Sequence, residues 1–415
     1  MKSTTGELAD DTELTDDTGL TDDTGFTEDT GFTEDTGPKA TAPAGIGLGG
    51  GSPSVPRLSP MSRAVEPRTA IVTGATGQDG FYLVERLLAD GWTVHAAVRD
   101  LDAAERALGS HELLNIVRRD IRDPGPLVAL VGDVRPEELY NLAGASSVSQ
   151  SFADPRGTWE SNAHVVSHLL DAIRADSPET RFYQASSGEM FGSVPGESVV
   201  HDESAALNPQ SPYAAAKAAA HMLCRSYRES YGIRIACGIL FNHESRRRGS
   251  AFLSRKVVDH VNVVRGAQGG VPPLMLGNLK AQRDWGFAPD YVEGMVSILR
   301  QAALRGVPDV AHSYRDYVLG TGQLHAVWEL ADRAFALAGI DLVWQLEGDD
   351  PLAWSAVFSA SGERAVVVDP ALIRPSDPMA IAADPRRIEA ELGWQPKPGL
   401  ERFLADMLAP GDAGQ

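Results

Sequence analysis

The sequence predicts an α/β fold, a doubly wound parallel sheet with a smaller C-terminal α/β lobe. Three observations predict it. Short apolar runs alternate with helical patterns as far as about Ile235, a glycine-rich turn separates the first run from the first helix, and the body that follows residue 67 is long enough for one sheet domain and a lobe. Right-handed connections between successive strands would place helices on both faces of the sheet.

Glycines shape the first turn of this predicted sheet. Ala70–Thr73 is a short apolar run suited to a buried parallel strand, and Phe81–Ala89 has the apolar spacing of a helix. A turn without Cβ atoms lets the backbone approach a pyrophosphate and directs the free N–H groups of the helix at it. The spacing resembles that of extended short-chain dehydrogenase/reductases. It predicts a Rossmann-type dinucleotide site at Gly74, Thr76, Gly77, Gln78, Asp79 and Gly80.

The next strand, Thr93–Val98, ends at Arg99 and Asp100, where the adenosine ribose should lie. An arginine there pairs with a 2′-phosphate, whereas an acidic residue prefers a free 2′-hydroxyl. We favour NADP through Arg99, and Asp100 leaves NAD open. Two later strand ends supply the remaining predicted cofactor residues, Asp120 and Ile121 at the adenine and Leu142 and Ala143 near the middle of the cofactor.

Tyr213 and Lys217 lie four residues apart in a strongly helical stretch, so they share one helix face. A lysine cation near a phenol lowers the pKa of the phenol and makes tyrosine a usable base at neutral pH. We therefore predict that both residues are catalytic and contact the cofactor. The alternative is an amphipathic helix with a buried tyrosine and a surface lysine.

A third segment follows the strand Arg181–Gln184, at the carboxyl edge where open α/β sheets bind ligands. Ser187 can hydrogen-bond a substrate hydroxyl, and Glu189 adds a carboxylate. A simple dehydrogenase of this type needs serine, tyrosine and lysine but no carboxylate here, so Glu189 suggests an elimination. The alternative is a helix-capping or solvent-facing glutamate.

Four segments together resemble the GDP-mannose 4,6-dehydratase family. They are Gly77–Gly80, Ser211–Lys217, Gly238–Ser245 with the arginines that follow it, and Leu276–Gly286. The resemblance runs from about Arg68 to Met407. Asn-His-Glu-Ser and Leu-Gly-Asn-Leu…Arg-Asp-Trp-Gly are far more specific than the glycine turn, and they separate this family from most epimerases and reductases of the same fold.

The resemblance implies a reaction. Tyr213 would take the proton of the 4-hydroxyl of GDP-mannose while NADP takes hydride from the same carbon. Glu189 would then remove the C5 proton and protonate the departing 6-hydroxyl, and the hydride would return to C6. The product would be a 4-keto-6-deoxy sugar nucleotide, and the chain would be an NADP-dependent nucleotide-sugar dehydratase.

The resemblance also implies a nucleotide-sugar site in the second half of the chain. Arginines offer planar, permanently charged donors for a diphosphate. The alternatives are a solvated basic turn at Arg246–Arg248 and an internal salt bridge between Arg283 and Asp284. The predicted substrate-binding residues are Asn242, Arg247, Arg248, Lys256, Arg283 and Arg374.

This chain departs from the family pattern at several positions. Ser187 stands where the family has a catalytic threonine, and it keeps the hydroxyl. The segment Leu101–Gly109 is shorter than the family loop that supports tetramers, so we expect a homodimer, with a tetramer as the alternative. Asn141–Ser147 also differs from the family, which changes the pocket near the sugar.

The composition of the N-terminal segment differs from that of the rest of the chain. Residues 1–38 hold twelve acidic residues and one lysine, and so supply −11 of the net charge of −20. We predict that residues 1–67 are a disordered acidic repeat tail and linker, because so few apolar residues cannot offset the entropy of ordering. A calcium-binding repeat is the alternative, although no closed coordination loop is evident, so we expect no metal.

The predicted domains are a cofactor-binding domain, 68–241, and a lobe, 242–408, that mainly binds the nucleotide sugar. Some segments of the lobe are expected to return to the cofactor-binding domain.

We expect a cytoplasmic enzyme with neither membrane nor nucleic acid as a partner. The start has no apolar core of a signal peptide, no long uncharged apolar run occurs, and Cys224 and Cys237 cannot form a disulfide scaffold. Two other functions compete with the dehydratase. One is a nucleotide-sugar epimerase, 5,6-dehydratase or reductase, and the other is a non-catalytic cofactor sensor, against which the intact Tyr213, Lys217 and Glu189 argue.

Overall fold

The computed structural model describes residues 68–193, 199–267, 269–373, 379–397 and 399–409. The predicted acidic tail, residues 1–67, and Arg374 lie outside the described residues. The strands are β1 (Thr69–Thr73), β2 (Thr93–Val98), β3 (Leu114–Arg118), β4 (Glu138–Asn141), β5 (Arg181–Ser187), β6 (Val200–His201), β7 (Ile235–Leu240), β8 (Asn242–Glu244), β9 (Leu274–Leu276), β10 (Gln282–Phe287), β11 (Tyr317–Leu319), β12 (Leu324–Ala326), β13 (Leu342–Gln345), β14 (Ser355–Phe358), β15 (Arg364–Val368) and β16 (Ala380–Ala383).

Helices connect most of these strands. The α-helices are α1 (Gln78–Ala89), α2 (Leu101–Leu108), α3 (Pro124–Val134), α4 (Val148–Ala153), α5 (Pro155–Trp159), α6 (Val165–Asp176), α7 (Pro212–Tyr231), α8 (Leu253–Gly266), α9 (Ala288–Leu299), α10 (Gln301–Leu304), α11 (Val327–Leu337), α12 (Arg386–Leu392) and α13 (Leu400–Leu408). A π-helical turn, Glu160–His164, joins α5 to α6. None of the helices in the described ranges is long and apolar enough to cross a membrane.

The main sheet has seven strands in the order β11-β7-β5-β4-β1-β2-β3, and all of its pairings are parallel. Alternate residues of β1 point to opposite faces. Val72 packs with α1 and α9 on one face, whereas Ile71 packs with α3, α6 and α7 on the other. Since both faces of the sheet are buried, its strands read as continuous apolar runs, and the predicted doubly wound parallel sheet is confirmed.

Two smaller sheets build the C-terminal part. One contains β12, β10, β16 and β6 in that order, with β8 pairing to β10, and the other has the order β13-β14-β15-β9. Helices α8, α11 and α13 share an apolar core with these strands. The chain does not stay in this lobe after residue 242, because β11 pairs with β7 at the edge of the main sheet.

Candidate active site

The turn between β1 and α1 is built for close backbone approach. Gly74 has a φ of +70°, and a Cβ on it would lie 2.9 Å from the amide nitrogen of Ala143. A Cβ on Gly80 would lie 2.2 Å from the carbonyl oxygen of Gly74. Helix α1 starts after Gly77 without a side-chain cap, so its first N–H groups stay available to an anion.

Side-chain hydrogen bonds hold the neighbouring strand ends together. Thr73 Oγ1 donates to Asn141 Oδ1 over 2.8 Å, and Asn141 Nδ2 donates to Gln184 Oε1 over 2.8 Å. The backbone N–H groups of Leu142 and Ala143 both donate to Thr73 Oγ1 over 3.1 Å. This network fixes the carboxyl ends of β1, β4 and β5 relative to one another.

A cleft of about 730 Å³ runs along this edge of the sheet. A turn without Cβ atoms, the uncapped helix and the basic side chains at one end fit a dinucleotide. All predicted cofactor residues other than the catalytic pair line it. They are Gly74, Thr76, Gly77, Gln78, Asp79, Gly80, Arg99, Asp120, Ile121, Leu142 and Ala143.

The acidic residues that follow β2 and β3, Asp100 and Asp120, both accept hydrogen bonds from the protein itself, and of the two only Asp120 lines this cleft. Asp100 Oδ1 accepts the amide N–H of Ala103 over 3.0 Å and caps α2. Asp120 accepts from Arg122 through both oxygens, at 3.2 and 2.8 Å. This hydrogen-bonded arginine lowers the pKa of Asp120.

A second cleft, of about 290 Å³, contains the four predicted catalytic residues, Ser187, Glu189, Tyr213 and Lys217. Ser187 ends β5, and Glu189 follows in a half-buried 3-10 turn. Ser211 caps α7 by accepting the amide N–H of Ala214 over 3.1 Å, and Pro212 begins the helix. Tyr213 thereby lies on the first turn, with Lys217 one turn later.

Burial dominates the electrostatics of the tyrosine and the lysine. It raises the pKa of Tyr213 to about 12, which a hydrogen bond with Ser187 partly opposes, and it lowers the pKa of Lys217 to about 8. Lys217 is buried and donates to the carbonyl oxygen of Ala185 over 2.9 Å, so the alternative of a surface lysine is wrong. A net lowering of the Tyr213 pKa is not found, because burial outweighs the groups that oppose it; the ammonium of Lys217 lies 5.9 Å from the ring centroid of Tyr213.

The predicted substrate-binding residues separate into two groups. Asn242, Arg248 and Arg283 line the catalytic cleft, and Arg248 borders both clefts. Arg247 and Lys256 line neither cleft. Arg247 lies over the ring of Phe81, 3.0 Å from its centroid, and Lys256 lies on α8 near His260. The family resemblance pointed to the turn that contains Arg247 and Arg248 but could not tell which of the two side chains lines the cleft.

The proposed salt bridge between Arg283 and Asp284 is wrong. Asp284 is fully buried and accepts from the backbone N–H groups of Thr321, Gly322 and Ala383, at 2.8, 2.8 and 3.1 Å. Its neighbour Arg283 donates to the carbonyl oxygen of Gln282 over 2.8 Å. Side chains of adjacent strand residues point to opposite faces, so Asp284 fixes loops while Arg283 faces the cleft.

Sequence reasoning missed the role of His243, although it quoted the motif that contains it. His243 Nδ1 lies 2.7 Å from the carbonyl oxygen of Phe241, and Nε2 lies 3.0 Å from both carboxylate oxygens of Asp79. Despite burial, Asp79 raises the pKa of His243, and the histidine in turn lowers the pKa of Asp79. Both residues border the catalytic cleft, so an ion pair joins the first turn of α1 to β8.

A buried polar cluster includes His221, which lies one turn after Lys217 on α7. The ligand atoms of His221, Cys237 and Asp316 lie within 4.8 Å of one another. Asp316 already accepts from both terminal nitrogens of Arg228, at 2.7 and 2.9 Å, and His221 Nδ1 lies 3.0 Å from Ser186 Oγ. Because a guanidinium already neutralises this carboxylate, we assign no cation to the cluster.

Solved structures share the fold at low sequence identity. The dTDP-glucose 4,6-dehydratase of Bacillus anthracis in complex with NAD is 19% identical with a TM-score of 0.64, covering 82% of this chain and 95% of its own. The UDP-glucose 4-epimerase of Thermus thermophilus in complex with NAD is 24% identical with a TM-score of 0.64, covering 82% of this chain and 97% of its own. At such identities the likeness establishes the fold alone.

Sequence relatives are more specific. The chain is 37% identical to GDP-mannose 4,6 dehydratase 2 of Caenorhabditis elegans over 357 residues, which is 83% of this chain and 89% of the relative. It is also 37% identical to GDP-mannose 4,6-dehydratase of Vibrio cholerae serotype O1 over 362 residues, which is 82% of this chain and 93% of the relative. The sequence model of one family matches residues 71–407. The chain therefore belongs to the GDP-mannose 4,6 dehydratase family.

Proposed function

We propose that this chain is a nucleotide-sugar 4,6-dehydratase that converts GDP-mannose to GDP-4-keto-6-deoxymannose with bound NADP. One observation carries the proposal: the carboxylate of Glu189 lines the same cleft as Ser187, Tyr213 and Lys217. Serine, tyrosine and lysine suffice to oxidise a hydroxyl, whereas loss of water also needs an acid-base group at the neighbouring carbon. The family and the names of its animal and bacterial members support the substrate.

The first step belongs to the serine, the tyrosine and the lysine. Ser187 hydrogen-bonds the 4-hydroxyl, and Tyr213 Oη accepts its proton. Lys217, whose pKa of about 8 leaves it mainly protonated at neutral pH, provides a buried positive charge beside the phenol. A nicotinamide bound in the first cleft supplies the hydride acceptor for C4 and the hydride donor for C6.

The second step belongs to Glu189. A ketone at C4 makes the C5 proton acidic, and the carboxylate removes it. The same group then protonates the 6-hydroxyl, which departs as water. Return of the hydride to C6 leaves C5 as an enolate carbon that takes up one proton, and release of the 4-hydroxyl proton held by Tyr213 balances this uptake. Glu189 and Tyr213 therefore both end the cycle in their starting forms.

The diphosphate is held by charge. Arg248 and Arg283 border the catalytic cleft together with Asn242, and their guanidinium groups suit phosphate oxygens. At the other end of the cofactor cleft, Arg99 supports NADP rather than NAD. We place the domain boundary near residue 241, with the nucleotide sugar held mainly by 242–408.

We further propose a homodimer. Phe152, Trp159 and Met222 are large apolar side chains that are 40%, 49% and 49% exposed. They lie on α4, α5 and α7, which pack against one another. A second copy of the chain would bury these side chains, and light scattering in solution would distinguish a dimer from the alternative tetramer.

To test the function, purified full-length protein is incubated with GDP-mannose and, in separate reactions, with dTDP-, UDP- and CDP-hexoses. No NADPH is added. Mass spectrometry should find a product lighter by one water from GDP-mannose. The matched control is Tyr213→Phe, which keeps the ring and removes the hydroxyl. A product of unchanged mass would indicate an epimerase, and turnover that requires free NADPH would indicate a reductase; either result contradicts the proposal.

A further inference from the structure

We propose that Arg119, which directly follows β3, is a second cofactor-specificity residue that binds the 2′-phosphate of NADP together with Arg99. The inference rests on the proposed use of NADP. Neither the glycine turn nor the family motifs pointed to Arg119. Arg119 stands out because it is a cation at the predicted adenosine end of the cofactor cleft and has no carboxylate partner among the described residues.

The backbone brings the two arginines side by side. Strands β2 and β3 are parallel, and Val98 pairs with Arg118 at their carboxyl ends. The amide N–H of Arg119 then donates to the carbonyl oxygen of Val98 over 2.7 Å, which continues the pairing one residue further. Arg99 and Arg119 are therefore the first residues beyond two adjacent strand ends, and both line the cofactor cleft.

The other cations on this part of the cleft are already paired. Arg122 donates to Asp120 over 2.8 Å, and Arg156 donates to Glu160 over 2.8 Å. Within the described ranges, Arg99 and Arg119 have no carboxylate within ion-pair distance. On a protein with a net charge of −20, two adjacent arginines without carboxylate partners form a local anion site.

Arg119 also contains an unsatisfied donor. One terminal nitrogen donates to the carbonyl oxygen of Arg118 over 2.7 Å, which fixes the guanidinium. Its Nε is enclosed and has no hydrogen-bond partner among the described residues. A buried donor without an acceptor is unfavourable, so this group is suited to an incoming oxygen atom.

The nearby carboxylates do not oppose a phosphate. Asp100, which could accept a ribose hydroxyl from NAD, instead caps α2. Asp120 is neutralised by Arg122. A dianionic 2′-phosphate would therefore meet two cations without a competing free carboxylate, and each charge-assisted hydrogen bond would favour NADP over NAD.

The test compares ligands that differ only in the 2′-phosphate. Isothermal titration calorimetry on the full-length protein would measure Kd for NADP⁺, NAD⁺, 2′,5′-ADP and 5′-AMP. Arg119→Gln should weaken NADP⁺ and 2′,5′-ADP by about 10- to 100-fold while changing NAD⁺ and 5′-AMP by less than about threefold. Arg118→Gln is the matched control, because it removes the same charge from an exposed neighbour outside the cleft, and it should change every Kd by less than about threefold.

Several results would overturn the inference. If Arg119→Gln raises the Kd values of NADP⁺ and NAD⁺ equally, Arg119 contacts the adenosine that both ligands share. If the Kd of 2′,5′-ADP is unchanged, Arg119 lines the cleft without binding the 2′-phosphate. If Arg118→Gln weakens NADP⁺ binding as much as Arg119→Gln does, the effect comes from the net charge of the region and not from a contact with Arg119. Equal melting temperatures of the variants, together with partial recovery of NADP⁺ affinity in Arg119→Lys, would separate the contact from misfolding.

The binding data also separate this inference from the proposed function. Wild-type protein that prefers NAD⁺ and ignores 2′,5′-ADP would contradict both the NADP assignment and the role of Arg119. A wild type that selects NADP⁺ through Arg119 but releases no water from any nucleotide sugar would contradict only the dehydratase. Since no turnover is needed to measure Kd, the two outcomes cannot be confused.

Discussion

Burial moves Tyr213 and Lys217, the proposed catalytic pair, towards their neutral forms. The pKa of Tyr213 rises to about 12 and that of Lys217 falls to about 8, because both side chains are removed from water. Tyr213 is therefore a phenol at neutral pH before ligands bind. Opposite charges near its hydroxyl must assist the loss of its proton; Lys217, Arg248 and Arg283 line this cleft, and Arg248 already opposes the rise of the Tyr213 pKa.

At the same scale, Glu189→Gln should separate the two halves of the reaction. Oxidation at C4 needs Tyr213 and Lys217, whereas removal of the C5 proton needs the carboxylate. The variant should still reduce bound cofactor on adding GDP-mannose, seen as absorbance at about 340 nm, yet release at least about 100-fold less deoxy product. Tyr213→Phe should block both signals.

The contrary result for this pair of variants is equally clear. If Glu189→Gln forms the 4-keto-6-deoxy product at the wild-type rate, Glu189 is structural. An epimerase-like or reductase-like reaction would then explain the cleft better. If it loses both signals and also melts earlier than wild type, the carboxylate supports the turn after β5 instead.

At the scale of elements, an ion pair links α1 to β8 across the site. A carbonyl oxygen can only accept, so His243 Nδ1 must donate to Phe241, and Nε2 faces the two oxygens of Asp79. A histidine protonated on both nitrogens satisfies every one of these contacts. The pair joins the first turn of α1 to the strand that carries Asn242.

This pair gives a pH dependence of stability. The pKa of Asp79 lies below its ordinary 3.8 and that of His243 above its ordinary 6.5. The stabilisation is complete between these two ordinary values, falls as pH drops through the lowered pKa of Asp79, and falls as pH rises through the raised pKa of His243. Asp79→Asn should therefore lower the melting temperature of the ligand-free protein most in mildly acidic buffer and much less in alkaline buffer.

Melting curves of wild type and Asp79→Asn over this pH range provide the measurement. The matched control is Asp102→Asn, an exposed carboxylate on α2 for which we expect no pH-dependent difference. A destabilisation by Asp79→Asn that stays constant with pH would show that the carboxylate acts as a hydrogen-bond acceptor without a charged histidine.

At the scale of the whole molecule, charge is distributed unevenly. Residues 1–38 account for −11 of the −20, and residues 39–415 carry the remaining −9, although arginines border both clefts. An acidic segment would repel a diphosphate rather than hold it. Removing residues 1–67 should therefore leave turnover within about twofold and the melting temperature within about 2 °C of the full chain. Loss of folding or a large fall in turnover would refute this expectation.

Local sequence determined most of the architecture. The bounds of β2 are predicted to the residue, and those of β1 and β5 within a few residues, because a buried parallel strand is an uninterrupted apolar run. The glycine spacing predicted the turn before α1, since a Cβ at Gly74 or Gly80 would collide with backbone atoms. The predicted family is confirmed because its motifs are contiguous segments of chain.

Only the tertiary structure decided how individual side chains are used. Arg247 and Arg248 are neighbours in sequence, yet one covers Phe81 and the other borders both clefts. Asp79 and His243 are 164 residues apart, and nothing near either residue predicts the other. The physical reason is the distance along the chain over which each effect acts. Apolar periodicity and glycine conformation act within a few residues, so they can be read from the sequence. The partner of a polar side chain is set by the distant segment that folds against it.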